Sequence, residues 1–184
     1  MKRILLFIVA SVSFLSVVNA QTIAVKSNLL YDVTTTMNLG AEVALSPQLT
    51  LDLSGNYNPW KFSDNKKLKN WLVQPELRYW LCSKFNGHFL GIHAHYGEYN
   101  AGGIKMLGME KHRYEGNLIG AGLSYGYQWL LNSRWSLEAS LGVGYAYMDY
   151  KKYNCEKCGE QLGSYKKNYF GPTKAAISLI YIIK

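Results

Sequence analysis

Beyond its first twenty residues, the chain has no apolar run approaching the ~20 residues that a membrane-spanning helix requires. Proline is scarce, four in 184 residues, and no linker-like tract, low-complexity stretch or long repeat divides the sequence. One domain's worth of residues remains. Cysteine is scarcer still. Cys82, Cys155 and Cys158 form an odd set, which argues against a full disulfide framework and leaves room for one bridge. Acidic residues are outnumbered, twelve against twenty Lys and Arg, so the formal charge is +8. What the chain has in quantity is tyrosine (15) and glycine (17).

Residues 1–20 read as a signal peptide. Lys2 and Arg3 form a basic start, residues 4–18 an apolar stretch, and Val18-Asn19-Ala20 a small-residue cleavage site before Gln21. Fifteen apolar residues are short for a span, and no cysteine follows the site to take a lipid. Export therefore leaves a mature domain of 21–184 with a charge of +6.

The mature chain is patterned with period two, the signature of β-strands with unlike faces. In 135–147 one face is Trp135, Leu137, Ala139, Leu141, Val143, Tyr145 and Tyr147, and the other is Ser136, Glu138, Ser140, Gly142, Gly144 and Ala146. The same alternation runs through 23–32, 39–45, 49–57, 71–81, 88–99, 117–129 and 173–184, which predicts eight strands. Pro75 interrupts the fourth, where the missing donor predicts a bulge. Connections 46–48, 82–87 and 130–134 are short, as is 33–38, whereas 58–70, 100–116 and 148–172 are long. Short periplasmic turns and longer outer loops are the habit of outer-membrane barrels.

An eight-stranded soluble barrel of the lipocalin kind would show the same alternation with its faces reversed. Volume separates the two. About five apolar side chains per strand make about forty, and a small barrel interior holds roughly a dozen large ones. The expected fold is all-β, an eight-stranded antiparallel transmembrane β-barrel after a cleaved signal peptide. Its apolar face meets lipid and both termini are periplasmic.

The other face then lines the lumen. It carries Lys26, Glu42, Asp52, Glu76, Arg78, Glu138 and Lys174, with His93 and His95. Charges of both signs in a narrow space predict a salt-bridged network, and glycines on strands six and seven leave room for Arg78 to cross. A lumen filled this way is plugged.

Three constellations are candidates for chemistry. Cys155-Glu-Lys-Cys158-Gly159 has knuckle spacing but no second CxxC, and Cys82 sits at the other end of the barrel. A local disulfide, two free thiols, and a metal site completed by His112 are the three readings. His93 and His95 share a strand face, as metal ligands do, or belong to the polar network. His95, Ser124 and Glu138 supply the residue types of a hydrolytic triad. That alternative makes the protein a lipid A-modifying enzyme, but all three face away from lipid. Basic residues (Lys61, Lys66, Lys67, Lys69, Lys105, Lys111, Arg113) interleave with Tyr99, Tyr150, Tyr153, Tyr165 and Tyr169 in the long loops. They suit anionic lipopolysaccharide or surface glycans, or are ordinary solvated loops. No nucleic-acid-binding module is present.

Seven stretches carry a resemblance: NLLYD (28–32), TTTMNLG (34–40), LDLSGNYNPWKFSDNKK (51–67), WLVQPELRYW (71–80), FNGHFLGIHAHYGEYN (85–100), GAGLSYGYQW (120–129) and KNYFGPTKAAISLIYIIK (167–184). Together they resemble a Bacteroidales family of small outer-membrane proteins catalogued as domain of unknown function 3575. The resemblance implies a barrel of the OmpA/OmpX sort, with members sometimes linked to fimbrial loci, and it brings no catalytic residues. Unlike many such barrels, this chain ends Ile183-Lys184 rather than in an aromatic residue.

The expectation is a non-enzymatic outer-membrane protein without cofactor. It serves envelope integrity or surface interaction, with lipid, lipopolysaccharide and fimbrial or other surface proteins as partners. The alternatives are the lipid A-modifying enzyme and a narrow channel.

Overall fold

The structure, a computed structural model, describes residues 22–59, 67–104, 109–154, 159 and 161–183. The signal peptide, the Cys155/Cys158 pair, Lys61, Lys66 and Lys105 lie outside the described residues. Eight strands follow one another: β1 (Ile23–Asn28), β2 (Met37–Ala44), β3 (Leu49–Asn58), β4 (Lys67–Trp80), β5 (Gly87–Ile104), β6 (Met109–Leu130), β7 (Trp135–Asn154) and β8 (Gln161–Ile183). Each pairs antiparallel with the next, and β1 pairs with β8, so the sheet closes into a barrel in sequence order.

The alternation seen in the sequence sorts the side chains. On the outside, Val43, Leu51, Leu77, Ile92, Leu123 and Val143 are cross-strand partners in one row. Leu141 is 70 %, Ile92 63 % and Leu123 62 % exposed. On the inside, alternate residues are buried and mostly polar, charged or glycine.

The short-turn end of the interior is the exception. There Ala24, Ala44, Trp80, Phe85, Phe89, Ile180 and Ile182 form an apolar floor. Phe85 adopts a left-handed φ of 62° in the turn before β5. That conformation, unusual for a bulky residue, carries the ring under the barrel to 6.1 Å from Trp80. Phe89 lies 4.9 Å from Trp80 on the other side.

Four features differ from the sequence reading, each for a local reason. The first segment does not continue to Asp32: β1 stops at Asn28, and a helical turn, α1 (Leu29–Val33), follows. The Asn28 side chain accepts from the Leu30 amide, and Asn38 donates to Asp32 at 2.7 Å and to the Asn28 carbonyl at 3.1 Å. Pro75 makes no bulge. Pairing with β5 keeps one phase from Val73↔Tyr96 to Glu76↔His93, so the ladder skips a bond and inserts nothing.

The register shifts occur elsewhere, one of them between β7 and β8 beside Pro172, where Thr173 is the extra residue. The fourth difference is hairpin length. Much of 100–116 and 148–172, expected as loop, is strand. Opposite charges face each other there as cross-strand pairs, Glu115↔Lys151 and Asp149↔Lys166, and Tyr150 stacks on Tyr165.

Candidate functional site

The barrel interior places three carboxylates side by side. Glu42, Asp52 and Glu76 are directly opposite one another on β2, β3 and β4, and His93 continues the row on β5. Like charges in such a row repel, so the arrangement demands cations from elsewhere in the barrel. Three supply them.

Arg78, two residues along β4 from Glu76, reaches into the centre and is 1 % exposed. Its Nε donates to Glu76 at 2.8 Å, Nη1 to Glu42 at 2.9 Å and to Glu138 at 2.8 Å, and Nη2 to the second Glu138 oxygen at 3.1 Å. Nη2 is also 3.1 Å from Asp52. One guanidinium thereby holds four carboxylates, a task for which its planar fork of donors is suited and an ammonium is not. Phe89 of the floor closes it from one face, with the ring centroid 4.5 Å from Cζ.

Lys26 enters from β1, bonded to Glu42 and 3.3 Å from Asp52 and 3.6 Å from Glu138. Lys174 enters from β8 and bonds Glu76. Hydroxyls complete the carboxylate shells: Thr50 donates to Glu42, Ser124 to Glu76 and Ser140 to Glu138 at 3.3 Å. Trp80 ties floor to network through its indole N–H, 2.9 Å from the Thr50 hydroxyl.

Of the charged residues expected in the lumen, Lys26, Glu42, Asp52, Glu76, Arg78, Glu138 and Lys174 come together in this cluster. His93 and His95 sit beside it, with ring centroids 5.8 Å apart. His93 Nε2 is 2.9 Å from the Thr173 hydroxyl, so the bulge at Thr173 aims a side chain across the interior. Outside the strands, burial raises the Tyr31 phenol above its ordinary value and keeps it neutral.

Glycines make this packing possible. A Cβ on Gly40 would stand 2.6 Å from Lys26 Cγ, and one on Gly91 would meet the Glu76 and Ser124 oxygens at 2.4 Å. On β6 and β7 the space beside Gly120, Gly122, Gly126 and Gly142 is taken by His95, His93, Phe89 and Lys174, not by Arg78 as expected.

The hydrolytic set is not assembled. Ser124 donates to Glu76, and Glu138 is held by Arg78 and Lys26, with no bond from His95 to either among the described residues. Among the described residues no group of three or more His, Cys, Asp or Glu is arranged to hold a metal ion. Exposed Cys82 lies in the turn after β4, and His112 lies in β6 near its far end.

Sequence reading missed Thr50, Thr173 and Phe85. Thr50 and Thr173 are ordinary hydroxyl residues in alternating strands, and Phe85 sits in a turn, so no periodic signal singles them out.

No curated protein and no solved structure matches the chain. A family model described as "Protein of unknown function (DUF3575)" matches residues 4–183, and the chain belongs to that family.

Proposed function

We propose that the chain is a non-enzymatic outer-membrane β-barrel of the OmpA/OmpX kind, with a plugged lumen, that serves envelope integrity or surface contact. One observation carries the reading, an inverted distribution of polarity. A charged, hydrogen-bonded interior is enclosed by an outer belt of exposed Leu, Ile, Val and aromatic side chains on successive strands. Soluble monomers rarely expose contiguous apolar patches beyond a few hundred Å². In a bilayer the same belt is solvated by lipid, and closure of the sheet leaves no unpaired edge around the span.

The short turns after β2, β4 and β6 then face the periplasm with both termini, and the long hairpins face outward. Trp80, Phe89 and Ile180, each 0 % exposed, sit across the floor, and the Arg78 cluster fills the layer above, which favours a plug over a channel. The projecting hairpins carry Lys151, Lys152, Lys166 and Lys167 among tyrosines. They suit contact with lipopolysaccharide phosphates or with other surface proteins. A fimbria-associated accessory role follows from the family resemblance alone.

Cys82 tests the orientation. In intact cells expressing a Cys155→Ser/Cys158→Ser variant, Cys82 should resist a membrane-impermeant maleimide and react once the outer membrane is permeabilised. Equal labelling before and after, or recovery of the protein in the soluble fraction, overturns the reading.

A further inference from the structure

From residue 163 to residue 171, β8 reads GSYKKNYFG, and alternate residues share a face: Gly163, Tyr165, Lys167, Tyr169 and Gly171. Register fixes which face it is. Tyr169 is the cross-strand partner of buried Ala146, and Tyr165 that of Tyr150, so these five residues continue the lumen side of the sheet. Ser164, Lys166, Asn168 and Phe170 lie on the far side. The stretch runs past the end of β1, which pairs with β8 only over 178–183. Tyr165 is 47 % and Tyr169 36 % exposed.

The two rings lean away from Lys167, each onto a glycine. A Cβ on Gly163 would lie 3.1 Å from the Tyr165 hydroxyl and 3.2 Å from its Cζ. One on Gly171 would lie 2.6 Å from the Tyr169 hydroxyl and 2.8 Å from its Cζ. Each glycine thereby lets a ring settle close against the backbone. The Tyr169 hydroxyl donates to the Pro172 carbonyl at 3.3 Å, and Tyr165 stacks on Tyr150 at 5.8 Å, so both plates are formed in advance.

Charge divides between the two faces. On the far side, Lys166 faces Asp149 and Lys151 faces Glu115 across the strands. On the lumen side, Lys167 faces Met148, and Lys152 faces Tyr114 and Gly163. Within 144–154 and 161–171 the one acid, Asp149, is on the far side. Lys152 and Lys167 form no ion pair among the described residues. Successive rows of the lumen side therefore alternate, Lys152, Tyr165, Lys167 and Tyr169, in steps of about 6.7 Å.

Cations at every second row suit a chain with an acid group on every second unit. The plates between them suit the apolar C–H faces of sugar rings. An acidic peptide or a polyphosphate would meet the lysines and leave the plates bare. A nucleic acid carries a phosphate on every unit, more charge than alternating lysines match.

We infer that this face of β8 binds an acidic glycan in which charged and neutral sugars alternate. Its neutral rings lie on Tyr165 and Tyr169, and its acid groups meet Lys152 and Lys167. The inference names the partner class of the surface contact proposed above, and it rests on that reading for access from outside the cell.

The test uses the full barrel folded in a detergent without a sugar headgroup, titrated with fluorescein-labelled octasaccharides of hyaluronan and of chondroitin sulfate. Anisotropy and calorimetry report binding. At least one of the two should bind saturably at physiological salt. Tyr165→Ala, Tyr169→Ala and Lys167→Gln should each weaken it about tenfold, a change of about 1.4 kcal/mol. Tyr165→Phe, which keeps the ring, should stay within about threefold. Lys166→Gln removes the same charge from the far side and should stay within about twofold. Heat-modifiable mobility of each variant shows that it has folded.

No saturable binding of either octasaccharide overturns the site, as does a loss in Lys166→Gln equal to that in Lys167→Gln. Equal or tighter binding of chitohexaose, of poly-glutamate or of a single-stranded oligodeoxynucleotide overturns the assigned chemistry. These results leave the membrane reading standing, since Cys82 labelling reports orientation independently.

Discussion

Arg78→Met removes the one cation shared by four buried carboxylates. In the native barrel the guanidinium touches Glu42, Asp52, Glu76 and Glu138 at 2.8–3.1 Å, and no atom of this set is appreciably exposed. Methionine fills similar volume and keeps contact with Phe89, so the substitution reports charge rather than a cavity. Four carboxylates would then share Lys26 and Lys174. Glu138, whose cation partners are Arg78 and a Lys26 ammonium 3.6 Å away, loses most.

Removing one partner of a buried ion pair costs about 3–5 kcal/mol, chiefly because the remaining charge is left uncompensated. The folding equilibrium should therefore weaken by more than about a hundredfold. Arg78→Lys keeps the charge but not the fork, and its loss should fall between that of Arg78→Met and zero. Adding Glu138→Gln to Arg78→Met should recover about 0.5–3 kcal/mol relative to the sum of the single losses. Urea unfolding in lipid vesicles, followed by tryptophan fluorescence and by heat-modifiable mobility, measures the native protein, Arg78→Met, Arg78→Lys, Glu138→Gln and the double variant. A loss below about 1 kcal/mol for Arg78→Met, or strict additivity in the double variant, refutes the reasoning.

Three further substitutions probe the same interior by urea unfolding. Gly122→Val sets a Cβ 2.5 Å from the Val143 carbonyl oxygen and 2.8 Å from His93 Nε2. Because backbone cannot retreat in a closed sheet, it should block folding or cost more than about 3 kcal/mol. Thr173→Val removes the hydroxyl bonded to His93 Nε2, and should cost about 1–3 kcal/mol by leaving a buried polar atom unpaired. A loss within experimental error would mean that the bulge does not serve that contact. Trp80→Ala empties the floor beside Phe85 and Phe89 and leaves the Thr50 hydroxyl without its indole donor. It should cost about 3–5 kcal/mol, and an unchanged unfolding midpoint would contradict the floor's structural role.

The interior was legible because a strand has a period of two, which assigns every residue to a face once one residue is assigned. Lys26, Glu42, Asp52, Glu76, Arg78, Glu138 and Lys174 all fall on the small, polar face, and their sequence neighbours Leu51, Leu77 and Leu137 fall on the other. Parity does not say which partner a charge finds across the barrel. Glu138 meets Arg78 and Lys26, whereas Lys174 goes to Glu76, a choice made by side-chain reach.

Hairpin length was hidden for a different reason. In 148–172 both faces are polar, with Asp149, Lys151, Ser164 and Lys166 on one and Tyr150, Lys152 and Tyr165 on the other, so no contrast marks a strand. The bulge at Thr173 and the inward turn of Phe85 depend on backbone geometry that neighbouring residue types do not announce.

The central claim, that lipid covers the outer belt, is tested most directly by Leu141→Arg in lipid vesicles. Leu141 is 70 % exposed, between Tyr125 of β6 and Ala175 of β8. A charged side chain near the middle of a bilayer costs a barrel about 2–4 kcal/mol, and about 0–1 kcal/mol near the interface. Leu141→Arg should therefore lose about 2–4 kcal/mol in urea unfolding, while Trp135→Arg at the short-turn end loses less in charge cost. If water rather than lipid covered the belt, Leu141→Arg would fall within about 0.5 kcal/mol of the native protein, and that result would contradict the account.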